Sequence, residues 1–298
     1  MHGRQSGKRG EEHIVLLGDS TLDNARYLNP SKGDLSIERQ LLEVAARRRW
    51  QVTVLAQDGS TLEDVRKYQL PVVPESATHL VLSVSGNDLL GLLNDMVEAN
   101  FTAGAVYQAV GSGMTAVIAE YRQLLLDLKA YGCHTALCTV YRPNFNHLFF
   151  KSLAGACLTL HNSRLRALAS EFALSIIDLA VLCSGKEDFA NPLELSTLGG
   201  AKVVWNIAAF LIDHALPKVC VDDEKNAAHS TEVIIFAYDA PQVHAHCCRS
   251  SAGAKVYKNA NPTAVLPGAD VDPTQSDLPR EGRPRMPFSE AQRPWRQT

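Results

Sequence analysis

The chain has 298 residues, 46% of them hydrophobic and 20% charged, with 29 Lys and Arg against 32 Asp and Glu for a formal net charge of −3. That balance excludes fibrous, collagen-like and wholly disordered polypeptides and leaves enough apolar residues for a sizeable core. The near-neutral charge gives no electrostatic footprint for a nucleic acid, and no apolar run reaches the roughly 18 residues of a membrane-crossing helix, so neither partner is expected.

Residues 1–12 are basic, then acidic, and precede a four-residue apolar run, Ile14 to Leu17, too short for the core of a signal peptide. We expect this end to be disordered and the protein to be cytoplasmic. From residue 13 to residue 216, short apolar runs alternate with helical patterns, the signature of βαβ units. The expected strands are His13–Leu17, Gln51–Leu55, His79–Val84, His134–Thr139 and Leu174–Ile177. Each is a continuous rather than an alternating run, as strands covered on both faces are. Helices are expected at Ile37–Arg48, Leu62–Lys67, Ala105–Tyr131 with a break near Gly111-Ser112-Gly113, Ser152–Phe172 and Thr197–His214, the last capped by Ser196. The basic cluster Arg47-Arg48-Arg49 reads as a solvated helix end.

Residues 217–298 read differently. Eight of the 14 prolines lie beyond residue 240, and from Asn259 onward aliphatic periodicity is almost absent, so a mostly disordered or irregular tail is expected. Val233 to Tyr238 has strand composition without an evident partner. The seven cysteines lack paired spacing and read as reduced thiols. His244, His246, Cys247 and Cys248 stand too close together for a standard zinc spacing, and of the carboxylates Asp19, Asp23 and Asp88 that could suggest a metal site, Asp19 is better employed on neighbouring backbone, so neither metal nor cofactor is expected.

Five parallel strands wrapped by helices make a flavodoxin-like, doubly wound α/β domain, which binds ligands at the carboxyl ends of its strands. Three successive strand ends there carry chemistry. After the first come Gly18-Asp19-Ser20, with the serine expected at a strand-to-helix turn where a helix N-terminus favours an oxyanion. After the second come Asp58-Gly59-Ser60, with a glycine whose N–H can approach a ligand. After the third come Gly86-Asn87-Asp88, with a neutral amide donor at the sheet rim.

These three blocks, in this order, resemble the SGNH/GDSL-type hydrolases over residues 13 to about 214. The resemblance implies Ser20 as nucleophile, an oxyanion hole made of the Ser20 and Gly59 N–H groups with the Asn87 amide, and hydrolysis of a small ester through an acyl-serine. The fourth block departs from the family pattern. Where that family carries Asp-x-x-His before the last helix, this chain reads Asn191-Pro192-Leu193-Glu194, which puts asparagine at the acid position and glutamate at the base position. A carboxylate is a poorer base than imidazole near neutral pH unless burial raises its pKa. Three accounts stay open: Glu194 is the base with Asn191 orienting it; His147, in the loop after the fourth strand, substitutes, with Asp188 the nearest spare carboxylate; or the domain is catalytically impaired and keeps a ligand or partner in the same cleft. The acyl group, the alcohol and the oligomeric state are left open by the sequence.

Overall fold

The computed structural model describes residues 12–215 and the short strands Val233–Ile234, Ala237–Asp239 and Gln242–His244. In chain order the main elements are β1 (His13–Gly18), α1 (Ile37–Arg48), β2 (Gln51–Val54), α2 (Leu62–Asp64), β3 (His79–Ser83), α3 (Gly86–Glu98), α4 (Ala103–Gln108), α5 (Met114–Lys129), β4 (His134–Cys138), α6 (Leu148–Phe172), β5 (Ser175–Ile177), α7 (Leu179–Leu182), α8 (Thr197–Ala215) and β6 (Val233–Ile234). The strands lie in the order β2-β1-β3-β4-β5-β6, all parallel. The first five form the expected flavodoxin-like sheet. The two-residue β6 adds an edge by pairing Val233 and Ile234 with Ile176 and Ile177, which gives part of the Val233–Tyr238 run the partner its sequence did not reveal. In the same region Ala237–Asp239 pairs antiparallel with Gln242–His244, and the remaining residues of the expected tail, residues 1–11 and the side chains of His244, His246, Cys247 and Cys248 lie outside the described residues.

Continuous apolar strands bury both faces, and β1 shows how. Ile14 and Leu16 point into a core shared with Ile37 and Leu41 of α1 and Val203, Ile207 and Phe210 of α8. Val15 and Leu17, alternating with them, point into the opposite core with Tyr121 and Leu124 of α5 and Leu165 of α6. A third apolar cluster stands beyond the sheet's carboxyl edge: Leu89, Leu93 and Met96 of α3 meet Ala154, Cys157 and Leu158 of α6.

Sequence and structure differ most between β3 and β4. The expected Ala105–Tyr131 helix is α4 and α5 joined by a π turn at Ala109–Gly113, the expected break, and a further helix, α3, starts directly from the asparagine block. The other difference follows β1. No long helix starts at Ser20; the chain makes one helical turn, with Leu22 and Asp23 N–H donating to Asp19 O, and α1 begins only at Ile37. Asn29, Pro30, Gly33 and Asp34 keep the intervening stretch in short 3-10 turns. The α1 N-terminus, capped by Ser36, is therefore not the group that faces Ser20.

Candidate functional site

In this strand order β1 has β2 on one side and β3 on the other, so the loops leaving β1 and β3 diverge and open a crevice. A cavity of about 640 Å³, counted to its open mouth, occupies it. Ser20, Asn87 and Glu194 all line this cavity, with Asp19, Thr21 and Tyr141 beside them and a wall that includes Leu89, Leu93, Phe145, Ala154 and Leu158. Among the described residues no Lys, Arg or His side chain lines it.

Ser20 owes its place to Gly18. That glycine has φ 138°, and a Cβ on it would lie 1.8 Å from the Ser83 carbonyl oxygen, so β1 and β3 approach as no other residue would allow. Asp19 N–H donates to the same carbonyl at 3.0 Å and turns the chain into the cavity, where Ser20 is 8% exposed. The buried Gln69 braces this corner from the stretch after α2. Its Oε1 accepts from Gly18 N–H at 2.8 Å, and its Nε2 donates to Gly18 O at 2.8 Å and to Ser60 Oγ at 3.1 Å.

The asparagine and glycine blocks are coupled. Asn87, the second residue of α3, donates from Nδ2 to the Ser60 carbonyl at 2.9 Å, which holds its amide against the turn containing Gly59. Gly59 has φ 87°, and its turn is fastened by Asp23 Oδ2, which accepts from Asp58 N–H at 3.1 Å. Gly59 stands beside the cavity but not among its lining residues.

Glu194, 2% exposed, projects from a loop closed by pairing between Phe189 and Leu195. Asn191 organises that loop through its side-chain oxygen, which accepts from Leu193 N–H at 2.9 Å and Glu194 N–H at 3.0 Å. Tyr141 donates from its hydroxyl to Leu193 O at 2.8 Å, and Asn24 donates from Nδ2 to Leu195 O at 3.2 Å, tying the Glu194 loop to the loops after β4 and β1. The Tyr141 phenol is pushed well above its ordinary pKa, first by burial and then by the neighbouring Glu194 charge. His147 is elsewhere: it is exposed, immediately precedes α6, and its ring packs on Phe150 with centroids 5.1 Å apart. Asp188, fully buried, pairs with Lys202 Nζ at 2.7 Å. Neither residue lines the cavity.

Two further carboxyls belong to this corner. Burial raises Asp19 to about 6, against the opposing effect of the Thr21 N–H that it accepts. Burial likewise raises Asp88 to about 7, against the Leu62 N–H at the start of α2. Both folded-state values exceed the ordinary 3.8, so between about pH 4 and 7 the folded chain binds protons more tightly than the unfolded one and stability falls as the pH rises. The expected loss from pH 5 to 8 is about 1–3 kcal/mol for each group. Urea unfolding at the two pH values measures it, and Asp88→Asn is expected to remove the larger share of the difference; equal slopes for the two proteins would contradict this account.

Among the described residues no group of three or more His, Cys, Asp or Glu gathers as a metal site, and no helix is long and apolar enough to cross a membrane. Sequence reasoning did not pick out Gln69, the Tyr141 strut or the apolar wall. Of these the wall alone had a signal, the helical spacing of Leu89, Leu93 and Met96.

The chain has the fold of the SGNH/GDSL hydrolases. An extracellular lipase from Streptomyces rimosus matches it with a TM-score of 0.50 at 18% identity, over 67% of this chain and 100% of the lipase. A phospholipase A1 from Streptomyces albidoflavus NA297 matches at 0.48 and 17%, over 66% and 99% of the two chains. A member of the lipolytic G-D-S-L family from Veillonella parvula DSM 2008 matches at 0.47 and 14%, over 68% and 97%. No family model and no curated protein matches the sequence. At such identities the likeness is one of fold, and the chemistry rests on the residues themselves.

Proposed function

We propose that the chain hydrolyses esters of small, uncharged, apolar acids, with Ser20 as nucleophile. The observation that carries this reading is the meeting of a serine, an amide donor and a buried carboxylate in one apolar-walled cavity at the topological switch point. Ser20 Oγ attacks the ester carbonyl while its proton passes to the Glu194 carboxylate. The carbonyl oxygen becomes an oxyanion that the Asn87 amide and the N–H groups of Ser20 and Gly59 stabilise. Collapse expels the alcohol, which takes the proton back from Glu194 and leaves an acyl-serine. Water then attacks the acyl-serine, with Glu194 again taking the proton, and collapse breaks the bond to Ser20 Oγ, which takes that proton back from Glu194 as the acid leaves. Asn191 does not touch the reacting atoms and acts by holding the Glu194 loop. Among the described residues the cavity wall offers no cation to an anionic acyl group, and Asp19 and Glu194 would repel one.

The test is release of p-nitrophenol from esters of two, four and eight carbons at pH 8, together with labelling by an alkyl fluorophosphonate located by peptide mass spectrometry. Turnover with phosphonylation at Ser20 is expected, faster on the four-carbon ester than on acetate. Neither turnover nor labelling would transfer the cavity to the rival reading, a domain that binds a ligand or partner without chemistry.

A further inference from the structure

The loop that delivers Asn87 passes through a conformation that a side chain resists. Ser85, between β3 and α3, has φ 92° and ψ −4°, in the left-handed region, where a residue other than glycine costs about 1–3 kcal/mol unless its surroundings hold it there. Among the described residues its side chain makes one hydrogen bond. Ser85 is fully buried, and its Oγ lies 2.8 Å from Nε2 of His161, a residue of α6 that is also fully buried. The Ser85 carbonyl accepts from Leu89 N–H at 3.1 Å, so α3 departs from this residue, and Asn87 follows it by two positions. Nδ1 of His161 has no hydrogen-bond partner, which leaves Ser85 as the ring's sole hydrogen-bonding contact among the described residues. Burial also pushes the His161 pKa down to about 4, which makes the ring a weak proton acceptor, and it bonds Ser85 and is not among the residues lining the cavity.

The next residue of α6 acts on the opposite rim. Asn162 Oδ1 accepts from Val140 N–H at 2.9 Å while its Nδ2 donates to Val140 O at 2.7 Å, and Val140 lines the cavity. One turn of α6 thus grips the loops after both β3 and β4.

We infer that His161 is a positioning residue, which holds Ser85 in the left-handed turn that aims Asn87 into the cavity. The inference rests on the hydrolase reading, through the oxyanion role of Asn87. It separates from ordinary core packing because the contact is needed only while residue 85 carries a side chain. Glycine adopts φ 92° without strain, so Ser85→Gly should make His161 dispensable, whereas Ser85→Ala keeps the strain and loses the contact.

Kinetics on the four-carbon p-nitrophenyl ester, with thermal melts to confirm folding, provide the test. Ser85→Ala and His161→Leu are each expected to lower kcat about 10- to 100-fold, the scale of a displaced oxyanion donor, with KM within about threefold. Ser85→Gly alone, and Ser85→Gly with His161→Leu, are expected to stay within about threefold of wild type. Should His161→Leu fail to fold, the Ser85→Ala and Ser85→Gly pair decides the matter. Full kcat in Ser85→Ala, or a double variant as impaired as His161→Leu, overturns the inference while the hydrolase reading stands. A wild type with no Ser20-dependent turnover overturns the hydrolase reading, and the inference with it.

Discussion

Replacing Ser20 with alanine is expected to lower kcat/KM on the preferred ester by about 10⁴- to 10⁶-fold and to abolish phosphonate labelling. The size follows from what the hydroxyl does: without it no acyl-enzyme forms, and one difficult displacement by water replaces two easier steps. What remains is whatever the Asn87 amide and the cavity walls contribute to direct attack by water, so the residual rate should still exceed background. The substitution removes one oxygen from a residue 8% exposed and leaves Gly18, which turns the chain, untouched. Unfolding midpoints should therefore match wild type, and a loss of rate accompanied by a loss of stability would not count as catalytic. Undiminished turnover in Ser20→Ala would mean that the cavity chemistry runs through another nucleophile.

Most of the scaffold was legible because its cause is local. A strand covered on both faces is apolar along most of its length without alternation, so β1, β3 and β4 appear as near-continuous runs, and α8 is marked by its Ser196 cap, whose Oγ accepts from Gly199 N–H at 3.2 Å. The distance in sequence back from α8 placed Glu194 at the cleft, and the same helix carries that loop in the structure. Helix α3 escaped because it begins inside the block that sequence reasoning treated as a loop; its Leu89, Leu93 and Met96 spacing was present but hidden behind the positive φ of Ser85 that launches it. Gln69 was illegible for a different reason. Its three hydrogen bonds go to Gly18 and Ser60, 51 and 9 residues away, and a long-range bond from an amide to backbone leaves no periodic trace. The same holds for His161, whose partner is 76 residues distant. The expectation of a helix N-terminus at Ser20 failed because the strand-to-helix rule counts elements, whereas Pro30, Gly33 and the asparagines between Ser20 and Ile37 postpone the helix by a full loop.

Converting Glu194 to glutamine is expected to lower kcat by about 10²- to 10⁴-fold at pH 8, the range for a positioned proton acceptor, with KM little changed. Glutamine keeps the shape of the side chain and removes its basicity, and the Asn191 Oδ1 bonds to Leu193 and Glu194 N–H stay in place, so the folded loop should persist. The choice of pH matters because Asp19 at about 6 and Asp88 at about 7 also titrate at this corner. At pH 8 both are mainly ionised in either protein, and a difference in rate then belongs to residue 194. Asn191→Ala isolates the positioning role. It deletes the acceptor for two N–H groups while leaving the carboxylate in place, and about a tenfold loss is expected, an order of magnitude or more smaller than that of Glu194→Gln. Glu194→Gln with wild-type kcat at pH 8 would remove the carboxylate from the mechanism. The same profile measured on His147→Ala would then show whether the exposed imidazole before α6 reaches the cavity when substrate is bound.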